Sequence, residues 1–158
     1  MVTRLAPDAR SLFTAAEIEA RTNRSPLVEA EHLLLAMSAH PATDAGQVLA
    51  SAGLTHEALE RALATEFEAS LAAGGVSVAA GGQDRPSARQ TRRLRLSASF
   101  KAAIERSVTA SSGSRQIRPA HLLLGVLGAQ AGTVPRALRL AGVDQAELAT
   151  LTQQALAG

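Results

Sequence analysis

Glu31-His32-Leu33-Leu34-Leu35-Ala36-Met37 has an echo in Ala120-His121-Leu122-Leu123-Leu124-Gly125-Val126. In each copy one imidazole leads three leucines. His32 and His121 lie 89 positions apart, and so do Gly53 and Gly142, which end the segments Val48-Leu49-Ala50-Ser51-Ala52-Gly53 and Leu138-Arg139-Leu140-Ala141-Gly142. Upstream, Leu27-Val28 stands where Gln116-Ile117 stands in the second copy. Two anchors with one offset identify a tandem duplication. Leu33-Leu34-Leu35 is apolar on every side of a helix, which predicts a central, buried element. A short buried strand would carry the same run, but no β-branched residue occurs between Glu29 and Met37, which favours helix.

Outward from this stretch, helical spacing recurs along the chain. Pro7 opens a first helix with Ala9, Leu12, Phe13, Ala16 and Ala20 on one face, and Asn23-Arg24-Ser25-Pro26 ends it. The second helix runs from about Glu29 to Met37, with Glu29 and Glu31 at its positive end, and His40-Pro41 ends it. A third spans about Thr43–Ala52 and stops at Gly53, a C′ glycine. Thr55 caps a fourth, whose expected apolar stripe is Ala58, Leu59, Ala62, Leu63, Phe67 and Leu71. In the second copy, Phe100, Ala103, Ile104 and Val108 mark a fifth helix, closed by Ser111-Ser112-Gly113-Ser114. Pro119 starts the sixth, and Gly132-Thr133 begins a seventh that ends at Gly142. Asp144 and Glu147 form a capping-box pattern for an eighth burying Leu148, Leu151 and Leu156. The predicted fold is all-α: two tandem four-helix repeats (1–71 and 96–158) related by a pseudo-two-fold, in a single domain over 1–158.

Residues 72–95 read as a flexible linker, with Gly74-Gly75, Gly81-Gly82 and Pro86. Its Arg85, Arg89, Arg92, Arg93 and Arg95 read as a solvated charged loop. No Tyr or Trp is interleaved as a stacking platform, which weighs against nucleic acid as a partner.

Composition excludes several functions. With 46% hydrophobic and 19% charged residues the chain is globular, and 158 residues suffice for a substantial core. No apolar run approaches the ~18 residues of a membrane span, and the N-terminus lacks a signal-peptide core. The absence of cysteine removes disulfides and thiolate chemistry and suits a reducing cytoplasm. The one lysine, Lys101, follows Phe100, so there is no Walker A loop for phosphates. There is no Gly-x-Ser-x-Gly elbow either. Adjacent Glu31 and His32 splay apart on a helix, and His56 with Glu60 offers only two ligands on one helix face, too few for a metal. The expectation is a protein with no catalytic residues, no metal and no cofactor.

His32 and His121 are expected to pack at helix starts, each spending its N–H on a backbone carbonyl. Leu33, Leu34, Leu122 and Leu123 are expected in the core. Glu31 is the candidate for ligand chemistry, because a carboxylate at a helix start can hold a guanidinium through paired, charge-assisted hydrogen bonds.

Leu5-Ala6-Pro7-Asp8-Ala9-Arg10, Glu17-Ile18-Glu19-Ala20, Glu31-His32-Leu33-Leu34-Leu35 and Val48 to Gly53 together resemble the Clp repeat. Pairs of this repeat form the N-terminal domain of ClpA-, ClpB- and ClpC-type unfoldase ATPases, and the chain is most similar to the ClpC type. The resemblance implies a mobile helical module that docks substrates and adaptors onto an ATPase ring. The expected role is a non-catalytic, free-standing adaptor, decoy or sequestering partner of a ClpC-type unfoldase. The alternatives are an N-terminal recruiting domain of a full-length Clp ATPase and, more distantly, a nucleic-acid-binding regulator using the linker arginines. In ClpC-type relatives the glutamate before the helix-start histidine grips phosphorylated arginine. The family's Gly-Thr-Glu-His is replaced here by Glu29-Ala30-Glu31-His32 and Arg118-Pro119-Ala120-His121, so only Glu31 matches. The resemblance therefore implies one phosphoarginine-type site per chain, with phosphate donors near Leu5 to Asp8 or at the second helix's N-terminus. If no arginine-bearing ligand binds, a hydrophobic peptide or cyclic peptide-like small molecule is the expected occupant of the apolar grooves.

Overall fold

The computed structural model describes residues 4–74 and 93–158. Twelve elements follow one plan twice. The first repeat contributes β1 (Arg4–Leu5), α1 (Pro7–Thr22), β2 (Leu27–Val28), α2 (Ala30–Ser38), α3 (Asp44–Ser51) and α4 (His56–Ala73). The second contributes β3 (Arg95–Leu96), α5 (Ala98–Ala110), β4 (Gln116–Ile117), α6 (Pro119–Leu127), α7 (Thr133–Leu140) and α8 (Gln145–Ala157). The eight helices are those expected, and their boundaries follow local chemistry. Pro7 occupies the first turn of α1. The side chains of Thr43, Thr55 and Asp144 accept backbone N–H groups at the starts of α3, α4 and α8. Gly53 and Gly142 take positive φ just past the ends of α3 and α7, a conformation that favours glycine.

The four strands are too short to carry an alternation a sequence reader could see. They join the repeats crosswise: β1 pairs in parallel with β4, and β2 with β3. The helices exchange partners in the same sense, α4 packing on α7 and α3 on α8. At the centre, α2 and α6 lie against each other, each backed by its own preceding long helix, α1 or α5. Every residue of α2 from His32 to Met37 is buried, as their all-round apolar character requires. The α5–α6 crossing is tight at Gly125, where a Cβ would come within 2.2 Å of the Ala103 carbonyl oxygen.

Three expected core positions are corrected. Phe67, Val108 and Leu151 are exposed. The α4 face turned inward is set by Leu59, Ala62 and Glu66, and that of α8 by Leu148 and Thr152. Each buried stripe is thus narrower than the apolar pattern, and a polar residue completes it. The expected linker, 72–95, lies mostly outside the described residues. Of its ends, Ala72 and Ala73 finish α4, and Arg95 belongs to β3.

Candidate binding site

The two recurring histidines do the same work at the two central helix starts. In a capping box, the third helical residue reaches back to the N–H of the capping residue, a role usually filled by Glu or Gln. Here it is filled by imidazole. His32 Nδ1 accepts the Glu29 N–H at 2.9 Å, and His121 Nδ1 accepts the Arg118 N–H at 2.9 Å. The expectation that each ring donates to a carbonyl is therefore reversed: Nδ1 is the acceptor, which requires an unprotonated Nδ1 and puts the proton on Nε2 of a neutral ring. Burial pushes the His32 pKa down to about 4. His121 is also lowered, first by burial and then by the Arg118 charge, against an opposing contribution from Asp44. Leu33, Leu34, Leu122 and Leu123 behind them are fully buried, as expected.

Around this shared frame the two starts differ. At α2, Glu31 is half-buried, and burial pushes its carboxyl up to about 7. The charges of Glu29 and Glu66, and a hydrogen bond with the Glu29 side chain, act in the same direction, while its own N–H pulls the other way. Glu66 reaches in from α4 with 4% exposure. It accepts a short hydrogen bond from Ser70 Oγ and another from Arg136 Nε of α7 at 2.7 Å. Three carboxylates, Glu29, Glu31 and Glu66, thus influence one another at one helix start, and Arg136 is bonded to Glu66 among them. Opposite them, the Ala30 N–H donates to Ser99 Oγ at 3.1 Å, and Ser99 Oγ lies 2.8 Å from Ser97 Oγ. Only one of these hydroxyl protons can lie between the two oxygens, so the other is available to an incoming acceptor.

At α6 the equivalent of Glu31 is Ala120, fully buried. A carboxylate is present nevertheless, supplied by Asp44 at the first position of α3. Asp44 Oδ1 accepts the Ala120 N–H at 2.8 Å, and Oδ2 receives Arg118 through Nε at 3.0 Å and Nη2 at 2.8 Å. One carboxylate and one guanidinium satisfy each other there.

Of the other expected ligand residues, Leu5 and Asp8 do not join Glu31. β1 pairs Leu5 with Ile117, and the Ala6 N–H bonds to the Ile117 carbonyl at 3.0 Å, which ties the start of α1 to the approach of α6. The elements beside Glu31 are instead β3 and the first turn of α5, through Ser99. The crossed strand pairing is the cause, and no residue pattern announces it. Sequence reading also missed Glu66, a glutamate on an amphipathic helix that reads as surface, and Asp44, which reads as a dipole-stabilising first-turn acid.

His56 and Glu60 gain a third neighbour in Glu19 of α1. Glu19 Oε1 lies 2.7 Å from His56 Nε2, and Glu60 Oε2 lies 3.8 Å from Nδ1. The potential ligand atoms of the three fall within 4.8 Å of one another. The two carboxylates face different ring nitrogens, so an ion on one nitrogen would leave the opposite carboxylate behind the ring. The arrangement serves as a polar tie between α1 and α4. No helix among the described residues is long and apolar enough to cross a membrane.

Comparison with known proteins agrees with this architecture. The Clp repeat (R) N-terminal domain model matches residues 4–112. The fold is similar to the N-terminal domain of the caseinolytic protease-associated chaperone ClpD from Arabidopsis thaliana, with a TM-score of 0.73 at 21% identity, covering 100% of this chain and 98% of that one. It is also similar to a structure from preliminary investigations of a malarial protein secretion system, with a TM-score of 0.65 at 12% identity over 96% of this chain and 93% of that one. No curated protein matches in sequence.

Proposed function

The chain belongs to the Clp repeat N-terminal domain family, and on that premise we propose that it is a non-catalytic binding module of the Clp protease system whose ligand is an arginine-bearing, phosphorylated segment held at the start of α2. The observation that carries this reading is the grouping of Glu31 with Glu29 and Glu66 at one helix start, where Arg136 is bonded to Glu66. Burial first, and then the neighbouring charges of Glu29 and Glu66, raise the Glu31 pKa. A guanidinium supplies a matching cation and bonds in pairs to the carboxylate oxygens. The phosphate end of such a ligand is left to the free hydroxyl of the Ser97–Ser99 pair. With Asp44 already engaged by Arg118, the start of α6 has no comparable carboxylate to offer, and one ligand binds per chain.

The module acts as an adaptor, decoy or sequestering partner beside a ClpC-type unfoldase, and its ligands are that unfoldase's substrates or adaptors. Isothermal titration with phosphoarginine is the test. The expected stoichiometry is near one, lost in Glu31→Ala and kept in Ala120→Ser. Two equivalent sites, or full binding by Glu31→Ala, would refute the assignment. Binding requires ionised Glu31, whose pKa lies near 7, so affinity rises with pH up to about 7 and levels off above it. Below that point it falls by up to about tenfold per pH unit.

A further inference from the structure

A groove of about 490 Å³ lies apart from the acidic site, lined by Arg4 and Leu5 of β1, by Pro7, Arg10, Ser11 and Thr14 along one stripe of α1, and by Gln116 of β4. Its volume falls within the ~300–1,000 Å³ typical of ligand pockets. Two of its side chains are guanidiniums and none is a carboxylate. Neither Arg4 nor Arg10 makes an ion pair or side-chain hydrogen bond with a described residue, whereas Arg21, Arg61, Arg118 and Arg136 are all paired with acids. The nearest acid in sequence, Asp8, is outside the lining, and its Oδ1 takes the Ala9 N–H at 2.9 Å. The positive end of α1 adds to the potential at this mouth.

The neutral lining is suited to the same charge. Ser11 Oγ donates to the Pro7 carbonyl at 3.1 Å, while Thr14 and the Gln116 amide hold donors with no partner among the described residues. Leu5 and Pro7 supply apolar contact for side-chain methylenes. From this complementarity we infer that the groove between β1 and α1 docks an acidic, extended segment of a protein partner, its carboxylates on Arg4 and Arg10. Nucleic acid is the poorer match. Two cations without an aromatic platform in the lining give a backbone-tracking ligand little to follow. The groove is open to solvent, so binding is salt-sensitive and exchange is fast. This inference stands apart from the phosphoarginine reading, because the groove shares no residue with the site at Glu31.

The test is fluorescence anisotropy of the full chain with a labelled ten-residue peptide of alternating Glu, Asp and Gly. Arg4→Glu/Arg10→Glu is compared with Arg24→Glu/Arg139→Glu, which makes the same change in net charge at exposed arginines outside the groove. Circular dichroism confirms that both variants fold. The expected result is at least tenfold weaker binding for the first pair and less than a threefold change for the second. Equal losses in both pairs would reduce the effect to net charge and overturn the inference. So would binding of a single-stranded oligonucleotide that is as tight as the peptide's and equally dependent on Arg4 and Arg10.

Discussion

At the start of α2 three carboxylates stand together and a guanidinium is bonded to one of them, Glu66, whereas at the start of α6 one carboxylate meets one guanidinium. The two places share a backbone, a histidine acceptor and three leucines, yet one is charged beyond its own means and the other is closed. The contrast separates two kinds of constraint on a duplicated chain. His32 and His121 bond to backbone N–H groups and sit against packed leucines, so any change there disturbs helix start and core together. Glu31 is half-buried at the rim of its helix start, where a substitution alters mainly local charge, and the matching place at α6 is held by the uncharged Ala120. The frame stays alike, and the rim is where the repeats acquire different uses.

The frame can be challenged most severely in its leucines. Leu34→Ala and Leu123→Ala, each at a fully buried position, should lower stability by about 2–5 kcal/mol. Urea denaturation of the two variants gives the comparison directly. Similar losses support equivalent frames, and a loss in one variant only would show that a single repeat carries the core.

A smaller effect sharpens the rim. Glu31 has a folded pKa near 7, above the 4.5 expected of an unfolded chain. The folded state therefore takes up a proton that the unfolded state does not, and this group favours folding increasingly as pH falls from about 7 to 4.5. Above pH 7 its buried charge is a net cost. Glu31→Gln should thus be more stable than the parent at pH 8 by on the order of 1–3 kcal/mol, and the gap should close by pH 5. Melting curves at the two pH values decide this, and a gap that does not change with pH would remove Glu31 as the titrating group. His32 works in the opposite sense. Its lowered pKa adds stability above about 6.5 that is lost as pH falls toward 4.

The smallest effect is expected at the closed start. Arg118 is 41% exposed in its side chain, so Arg118→Ala should cost no more than about 1 kcal/mol, as partly solvated pairs do. Asp44→Ala should cost more, because it also strips the acceptor from the buried Ala120 N–H. Thermal melts of the two variants in parallel check the order, and a reversed order would mean that Asp44 does not hold the start of α6.

Much of this was legible in the residues. The eight helices, the C′ glycines, the Thr55 cap and the central placement of α2 and α6 all follow from short-range patterns, because periodicity and capping are written within a few residues. The site was legible only in part. Glu31 stood out beside His32, but Glu66, its partner Arg136, and Ser99 come from three other helices, and nothing local links them. The grouping of Leu5 and Asp8 with Glu31 failed for the same reason: β1 and β2 lead to different partners across the pseudo-two-fold. Phe67 and Leu151 misled because an apolar stripe does not show how wide a face its neighbour will cover.

The crossed pairing of strands and long helices has a further consequence. Each repeat meets the other as one subunit of a two-fold dimer meets its mate, through matched contacts made twice. Joining two such halves in one chain raises the effective concentration of one near the other. A chain divided within 75–92 and supplied as two separate polypeptides should accordingly reassemble into the same eight-helix body. Its melting temperature should then depend on protein concentration, which that of the intact chain does not.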